Sequence, residues 1–307
     1  MIYNISKQEV VIMAKRLPFI GSGVALVTPF DGDKINFESL GQLIEMHIAE
    51  NTDAIIICGT TGEAPALGDR DHLDILKYTV EKAAGRIPII AGTGSNDTSH
   101  AIWFSKEAEE YGADGVLCVT PYYNKTTQKG LYEHYNAIAR SISIPVILYN
   151  IPSRTGVNIA VETLKRLAET ENIVAVKEAS GNISYAARVA AEVPELYMYS
   201  GNDNMIVPLM SIGAKGVISV VANILPKETH ELCESCLNGD YIKGRDMQLK
   251  MLELINALFI EVNPIPVKEA MNLMGMSAGD VRLPLVGMTP QNLERLKAAM
   301  RSYGIDV

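Results

Sequence analysis

Short apolar segments alternate along the chain with longer segments in which apolar residues recur at helical spacing. Each apolar segment is four or five residues long and ends at polar or glycine-containing turns, a pattern typical of strands buried on both faces. The sequence therefore predicts eight strands, at residues 24–27, 54–58, 88–91, 115–119, 145–149, 173–177, 196–200 and 216–220. It predicts helices at residues 37–50, 70–84, 98–111, 128–141, 160–169, 182–192 and 203–212.

Eight strands that alternate with helices favour parallel pairing, and their number favours a closed (β/α)8 barrel, or TIM barrel, over an open sheet. The chain continues too far past the eighth strand for one closing helix, and helical patterns recur at residues 226–238, 241–259, 264–274 and 290–303. We therefore expect an N-terminal extension at residues 1–19, a barrel at residues 20–224 and a C-terminal helical appendage at residues 225–307.

Composition and charge narrow the class of protein. Hydrophobic residues make up 48% of the 307-residue chain, and the formal net charge of −9 argues against nucleic acid or an anionic membrane as the main partner. No apolar run has the 18 residues of a membrane-spanning helix. Residues 1–16 carry charges throughout and lack the pattern of a signal peptide, so we expect a loose extension, with Met13 as an alternative start, on a cytoplasmic protein.

The sixth predicted strand ends in a lysine. Alternation along a strand places Ala175 and Lys177 on one face and Val174 and Val176 on the other. If the first face looks into a closed barrel, the amine lies at the rim of an apolar cavity, where burial favours the neutral form that attacks a carbonyl to make a Schiff base. The alternative is a lysine at the surface, or one that is paired with Glu178.

Polar and glycine-rich residues follow several predicted strands, at the strand ends where a (β/α)8 barrel carries its chemistry. Thr60 and Thr61 follow the second strand, and their hydroxyl groups, with the free N–H groups of the turn, can hold a carboxylate. The alternative is a helix-capping turn in which Glu63 takes part.

Phenol and guanidinium groups follow the next strands. Tyr149 ends the fifth strand, one strand before Lys177, and a phenol there can pass protons while a carbinolamine forms and loses water. Tyr122 and Tyr123 place two more phenols after the fourth strand. Arg154 can grip a substrate carboxylate with two parallel hydrogen bonds. The alternatives are a core tyrosine and a solvent-exposed loop arginine.

The sequence lacks the signatures of a metal or nucleotide cofactor. The glycine pairs at residues 21–23 and 92–94 do not continue into a phosphate-binding loop, and the five histidines are dispersed. The four cysteines lack the context of a zinc or thioredoxin-like site and are expected to be reduced thiols; they are Cys58, Cys118, Cys233 and Cys236. Catalysis through Lys177 without metal or cofactor is the simplest hypothesis.

Five motifs at the predicted strand ends together closely resemble those of the dihydrodipicolinate synthase family, within the superfamily of pyruvate-dependent class I aldolases and N-acetylneuraminate lyases. The likeness runs from about residue 20 to the C-terminus. Each motif is modest alone, but five in order on eight strands are specific. The motifs are Gly59-Thr-Thr-Gly-Glu63, Thr120-Pro-Tyr-Tyr-Asn124, Tyr149-Asn-Ile-Pro-Ser-Arg-Thr-Gly156, Val176-Lys-Glu-Ala-Ser180 and Gly216-Val-Ile-Ser-Val220.

The resemblance implies a reaction and a set of catalytic residues. It implies that Lys177 condenses with pyruvate, and that the enamine attacks the aldehyde of L-aspartate 4-semialdehyde before the adduct cyclises, in the biosynthesis of diaminopimelate and lysine. Carried over by motif, Tyr149, Thr60 and Tyr123 form a proton relay, with Tyr123 reaching across a dimer interface. No cofactor beyond the covalent Schiff base is implied.

The resemblance also implies substrate-binding residues and an assembly. Thr61 and Ile218 line the pyruvate site, and Arg154 receives the semialdehyde carboxylate at the entrance. The usual assembly of the family is a homotetramer built from two tight dimers. We expect the same here, with no nucleic-acid or membrane partner and no metal.

The feedback site for lysine in this family looks altered in the present sequence. Sensitive members often place a glutamate where this chain has His100 and a basic residue where it has Asp69. A histidine cannot pair with the ammonium of lysine as a carboxylate does, so we expect weak or absent inhibition by lysine. The other matching positions are Ala64, Pro65, His72, Asn96 and Tyr122.

Two alternative functions follow from the same residues. A lyase for sialic acid or for a 2-keto-3-deoxy sugar acid shares the barrel, the lysine and the tyrosine, but its polyhydroxylated substrate does not require the carboxylate grip of Arg154. A non-catalytic barrel that binds small acids is the second alternative. The complete set of Lys177, Tyr149, Thr60 and Tyr123 speaks against it.

Overall fold

A computed structural model describes residues 15–307 of the protein, in which eight parallel strands close into a barrel. The predicted alternative start at Met13 lies outside the described residues. The barrel strands follow one another around the axis in chain order, so the predicted (β/α)8 fold is confirmed. Together with a hairpin formed by β2 and β3, the strands are β1 Gly21–Ala25, β2 Phe30–Asp31, β3 Lys34–Ile35, β4 Ala54–Ile57, β5 Ile89–Gly92, β6 Gly115–Val119, β7 Val146–Asn150, β8 Ile173–Glu178, β9 Tyr197–Ser200 and β10 Gly216–Ser219.

At least one helix lies between each pair of consecutive barrel strands, and four more follow the last strand. The predicted helices are found, except that the first turn of segment 203–212 is a 3-10 turn at Asp203–Met205. The structure adds one short helix, α5. The helices are α1 Phe37–Ala49, α2 Asp69–Ala83, α3 Thr98–Glu110, α4 Gln128–Ala139, α5 Pro152–Thr155, α6 Val161–Ala168, α7 Ile183–Glu192, α8 Ile206–Ser211, α9 Pro226–Leu237, α10 Tyr241–Ala257, α11 Ile265–Leu273 and α12 Pro290–Tyr303.

Local sequence determines where several helices begin. The first N–H groups of a helix have no partner within the helix, and a short polar side chain just before it can accept one of their hydrogen bonds. Five helices begin in this way, with the capping residues Asn36, Asp97, Thr127, Asn182 and Asp240.

The first strand begins three residues earlier than the pattern of hydrophobic residues predicts. Gly21 pairs with Gly216 where β1 meets β10 and closes the barrel. A Cβ on Gly216 would lie 1.8 Å from the carbonyl oxygen of Gly21, so only glycine permits this close approach. The glycines at the start of β1 therefore allow the barrel to close. This agrees with the prediction that they do not form a phosphate-binding loop.

Phe19 fills the amino-terminal end of the barrel interior. Its ring stacks on that of Tyr199 with 4.4 Å between centroids, and its carbonyl oxygen accepts a hydrogen bond from the Tyr199 hydroxyl. A Cβ on Gly23 would lie 2.8 Å from the Phe19 ring, so the glycine makes room for it. Phe19 falls in the predicted extension 1–19, yet it belongs to the interior cluster of the barrel.

The C-terminal helices pack on the barrel. Asp53, just before β4, accepts a hydrogen bond from the Ser22 backbone N–H, and its carboxylate lies 2.9 Å from Nδ1 of His230 on α9. The division between barrel and appendage at residue 224 stays a prediction. Within residues 15–307, no helix combines the length and the apolar character that crossing a lipid bilayer requires.

Candidate active site

Lys177 lies near the C-terminal end of β8, with 6% of its surface exposed. Its Nζ atom lies 4.3 Å from the ring centroid of Tyr149, its partner in register on β7. Lys177 and Ala175 face the interior as predicted. A bulge in the β7–β8 pairing turns Val174 into the interior cluster as well, whereas Val176 packs in the outer core. The prediction that Val174 and Val176 share a face is therefore wrong.

The alternative pairing of Lys177 with Glu178 is not formed. Glu178 follows Lys177 on the strand and points to the opposite face, where it is buried. One carboxylate oxygen accepts a hydrogen bond from the Asn150 side chain at 2.8 Å, and the other accepts one from the Ser180 backbone N–H at 2.6 Å. Burial raises the pKa of Glu178, and these hydrogen bonds oppose the rise.

Lys177 faces a chamber of about 50 Å³ at the C-terminal end of the barrel. Tyr149, Thr60, Thr61 and Arg154 also line this chamber, so the fold brings together five of the predicted site residues. A larger cavity of about 410 Å³ shares part of this lining and extends towards α2 and α3. The site is therefore a small inner chamber behind a wider outer cavity.

Two predicted site residues do not line either cavity. Ile218 lies on β10, and its side chain is buried in the interior cluster that also contains Tyr149. Tyr123 follows β6 in the left-handed backbone region, with a φ of 65°, and its side chain is 93% exposed. Within one chain, Tyr123 is not part of the site.

Asn263 is a residue of the site that sequence reasoning missed. It lies just before α11, and its side-chain Nδ2 donates a hydrogen bond to Thr61 Oγ1 at 3.0 Å. Its backbone carbonyl accepts a hydrogen bond from Arg154 Nη2 at 3.3 Å. The Asn-Pro pair in the sequence signals a turn, but nothing local connects it with Thr61 or Arg154.

Glu63 occupies the N-cap position of a 3-10 turn at Ala64–Ala66, but its side chain makes no capping hydrogen bond, in contrast to the alternative considered for its turn. Its carboxylate forms a buried ion pair with Lys268 of α11, with 2.9 Å between Oε1 and Nζ. The Lys268 ammonium also donates to the carbonyl oxygens of Thr28 and Asp280, and Glu63 Oε2 accepts from the Arg282 backbone N–H. Burial lowers the pKa of Lys268, and Glu63 opposes this effect. The pair fastens the turn that carries the two threonines to the C-terminal region.

Asp203 is a second residue that sequence reasoning missed, because it falls in a segment predicted as helix. Its buried carboxylate accepts hydrogen bonds from the backbone N–H groups of Val220 and Val221, at 3.0 and 2.9 Å. It thereby fixes the chain just after β10. Burial raises the pKa of Asp203, whereas these hydrogen bonds and the charge of Lys177 lower it.

The outer cavity contains most residues of the predicted lysine site. His100 Nε2 lies 3.2 Å from the Asp69 carboxylate, and the His100 ring stacks on Trp103. Asn96 does not line the cavity; its carbonyl oxygen accepts a hydrogen bond from the Asn124 side chain. The predicted residues that do line it are Ala64, Pro65, Asp69, His72, His100 and Tyr122.

The described residues offer no obvious metal site. Residues 15–307 contain no group of three or more histidine, cysteine, aspartate and glutamate side chains arranged to hold a metal ion. The absence of a cofactor stays a prediction. The cysteines are free and buried, as expected of reduced thiols, and burial raises the pKa of Cys118 to about 11.

A (β/α)8 barrel with a buried lysine among hydroxyl groups and an arginine is the arrangement of a Schiff-base-forming lyase of the class I aldolase type. Residues 18–303 match the model of the dihydrodipicolinate synthetase family. This chain belongs to that family, as its motifs predicted.

Similar proteins agree with this assignment. The 4-hydroxy-tetrahydrodipicolinate synthases of Caldicellulosiruptor bescii and Acetivibrio thermocellus are each 58% identical, over 94% of this chain and 98% of their own length. The crystal structure of dihydrodipicolinate synthase from Aquifex aeolicus has a TM-score of 0.92 and 46% identity, and covers 94% of this chain and 99% of that chain. The enzyme from Cyanidioschyzon merolae, solved with lysine bound, has a TM-score of 0.92 and 38% identity, over 95% of this chain and 100% of that chain.

The matches also decide between the functions considered above. The predicted enzyme class and the predicted 4-hydroxy-tetrahydrodipicolinate synthase activity are confirmed by family membership and by the curated relatives. The findings favour the synthase over a sugar-acid lyase and over a non-catalytic barrel.

Breaking the Glu63–Lys268 pair should destabilise the protein strongly. Lys268→Met removes the buried ammonium and leaves the Glu63 carboxylate without its ion partner, which should lower the free energy of unfolding by about 3–5 kcal/mol. Urea unfolding at fixed protein concentration measures the change.

Lys165→Met is the matched control. It breaks an ion pair with Glu192 that has 2.6 Å between nitrogen and oxygen but is solvent-exposed, and the expected loss is less than about 1 kcal/mol. Equal losses in the two variants would contradict a special role for the buried pair.

Proposed function

We propose that Lys177 forms a Schiff base with pyruvate, and that the resulting enamine attacks L-aspartate 4-semialdehyde to give 4-hydroxy-tetrahydrodipicolinate. The observation that carries the proposal is the Lys177 amine in a buried chamber, 4.3 Å from the Tyr149 ring, with Thr60, Thr61 and Arg154 in the same lining. The reaction is a step in the biosynthesis of diaminopimelate and lysine.

The chemistry proceeds in two stages. The neutral amine of Lys177 adds to the ketone carbon of pyruvate, and the carbinolamine loses water to form an imine. Loss of a methyl proton gives the enamine, whose carbon attacks the aldehyde carbon of the semialdehyde and forms the new carbon–carbon bond. The amine of the semialdehyde, once deprotonated, then attacks the imine carbon, which closes the ring and releases the lysine amine.

Each of these steps moves a proton, and hydroxyl groups are suited to the task. Tyr149, beside the amine, is proposed to give and take protons at the carbinolamine oxygen, with Thr60 as the next member of the relay. Hydroxyl groups move protons without holding a permanent charge next to the lysine. Tyr123 is proposed to complete the relay from a second copy of the chain.

The remaining residues are proposed to bind the two acids. Thr61 Oγ1 accepts a hydrogen bond from Asn263, so its own hydrogen is free to be donated to the pyruvate carboxylate. Ile218 supplies apolar packing beneath the site. Arg154 lines both the inner chamber and the outer cavity, and there it receives the semialdehyde carboxylate.

The proposal includes a homotetramer of two tight dimers in the cytoplasm, without metal or cofactor. The exposed Tyr123 supports a shared site, because a tyrosine held at positive φ on the surface can act on Lys177 only from another subunit. The four free cysteines are consistent with a reducing compartment. Oligomeric state needs a direct test, because one structural relative, 39% identical with a TM-score of 0.91, is described as a monomeric variant.

Borohydride reduction with pyruvate should leave a pyruvate-derived mass on Lys177, because reduction converts the imine into a stable secondary amine. Lys177→Arg keeps the charge but lacks the nucleophilic amine, so it should carry no adduct and lose roughly 10³-fold or more in kcat. Peptide mass mapping locates the adduct. Lys165→Arg at the surface is the control and should retain both adduct and activity. Absence of an adduct on the wild-type enzyme would refute the mechanism.

Mixing two inactive variants tests the shared site. Tyr123→Phe and Lys177→Arg each remove one part of the proposed machinery. When the two proteins are dissociated, mixed in equal amounts and reassociated, half of the dimers are mixed and each contains one intact site, so about one quarter of wild-type activity should return. If Tyr123 served its own subunit, mixing would restore nothing.

Lysine should inhibit the enzyme weakly or not at all. Asp69 lies next to His100, and the ammonium of lysine meets no unpaired carboxylate at this pair. Initial rates measured against lysine concentration provide the test, with His100→Glu as the variant expected to gain sensitivity. Strong inhibition of the wild-type enzyme at sub-millimolar lysine would show the interpretation of His100 to be wrong.

A further inference from the structure

Asn263 brings the C-terminal region into the inner chamber. The residue is 6% exposed and lines the chamber together with Lys177. Its side-chain nitrogen is bound to Thr61, and its backbone carbonyl is bound to Arg154. It therefore connects the residue proposed to bind pyruvate with the residue proposed to bind the second substrate.

The side-chain oxygen of Asn263 has no hydrogen-bond partner among residues 15–307. A buried amide oxygen without a donor is costly, by about 1–3 kcal/mol, so such a group calls for an explanation, and a bound ligand is one. An amide oxygen can only accept hydrogen bonds. A group that binds this oxygen must therefore carry an N–H or O–H donor.

The second substrate carries such a donor next to the group that Arg154 is proposed to hold. In L-aspartate 4-semialdehyde, the ammonium and the carboxylate are attached to the same carbon atom. A guanidinium that binds the carboxylate therefore brings the ammonium close to the residue that is bound to the same guanidinium. Asn263 is that residue, because Arg154 Nη2 donates a hydrogen bond to its backbone carbonyl oxygen, and its side-chain Oδ1 is an acceptor without a partner among residues 15–307.

We propose that Asn263 Oδ1 accepts a hydrogen bond from the ammonium of the semialdehyde and makes the site selective for an aldehyde that carries an α-amino group. The inference rests on the proposed roles of Lys177 and Arg154. It adds the residue that recognises the amino group of the semialdehyde. Asn263 acts as a specificity-determining residue, supplied to the barrel by the segment between α10 and α11.

A neutral acceptor suits the chemistry better than a charged one. None of the described residues that line the inner chamber is an aspartate or a glutamate. A carboxylate beside the amine would favour its protonated form. The amine must lose a proton before it can attack the imine carbon and close the ring. An amide oxygen binds the ammonium yet holds its proton less firmly, so the same contact serves both recognition and cyclisation.

Removing the acceptor should weaken binding of the amino aldehyde far more than binding of an aldehyde without the amine. Asn263→Leu in the full-length enzyme should raise the KM for aspartate semialdehyde by about 10- to 100-fold, the range for loss of one hydrogen bond to a charged group. Succinic semialdehyde has the same aldehyde and carboxylate but no ammonium, and its inhibition constant should change by less than about threefold. Borohydride trapping of pyruvate should persist.

Replacing the amide with a carboxylate should separate binding from turnover. In Asn263→Asp the acceptor is kept and gains charge, so the KM for aspartate semialdehyde should stay the same or fall. The kcat should fall, and its optimum should move to higher pH, because the bound amine loses its proton less readily. A rise in KM in both variants would overturn the proposal, since the aspartate variant retains an acceptor.

The test also separates recognition from a purely structural role. Both variants lose the hydrogen bond from Asn263 to Thr61, so weaker binding of pyruvate is expected under either role. If Asn263 only held Thr61 in place, both variants would affect the two aldehydes alike, which would overturn the inference but leave Lys177 chemistry intact. Failure to trap pyruvate on the wild-type enzyme would instead refute the proposed mechanism itself. Asn272→Leu, which removes an exposed amide from α11, the helix that follows Asn263, is the control and should leave all constants unchanged.

Discussion

The ion pair between Glu63 and Lys268 joins residues 205 positions apart and is buried on both sides. Withdrawing two charges from water is costly, and such a pair is tolerated only where further hydrogen bonds satisfy both groups. Here carbonyl oxygens and a backbone N–H do so. We interpret this pair as the contact that fixes where the C-terminal region packs on the barrel. The turn with Thr60 and Thr61, and the chain that places Asn263, both lie next to it.

The distribution of charge around Lys177 follows from strand geometry. Glu178 is adjacent in sequence, yet the alternation of side chains sends its carboxylate to the opposite face of β8, where Asn150 and Ser180 bind it. A carboxylate inside the chamber would hold the lysine as an ammonium and suppress its attack on a carbonyl. One step along the strand thus separates the Lys177 amine, the proposed nucleophile, from the Glu178 carboxylate. The amine shares its chamber with the hydroxyl groups of Tyr149, Thr60 and Thr61, which can exchange protons and remain neutral.

The sequence predicted those parts of the site that depend on local pattern. Apolar runs that end in polar turns located Lys177, Tyr149 and the threonine turn at one end of a barrel, and the five motifs identified the family. The bulge that turns Val174 inwards was not predictable, because it arises from the pairing of two strands. The early start of β1 was missed for a similar reason, since glycines that permit close strand approach look like a loop in isolation.

The contributions from distant parts of the chain were also missed. Asn263 and Lys268 follow the barrel in sequence and carry no motif that connects them with residues 59–63. Asp203 fell at the start of a segment predicted as helix, so its role in the site was not predicted. Tyr123 shows a related limit, because its motif marked it as catalytic while a single chain leaves it at the surface. Local chemistry can be read along a sequence, whereas long-range contacts depend on how the whole chain folds.

The position of Phe19 determines from which end molecules can reach the inner chamber. Because its ring fills the amino-terminal end of the interior, the inner chamber opens at the opposite end, through the outer cavity. Under the proposed mechanism, pyruvate bound to Lys177 would lie at the closed end of this passage, with the aldehyde between it and the opening. The water released by imine formation would then have to leave before the aldehyde enters. The proposed chemistry would therefore be ordered, with the keto acid entering first and the ring-closed product leaving before another keto acid reaches Lys177.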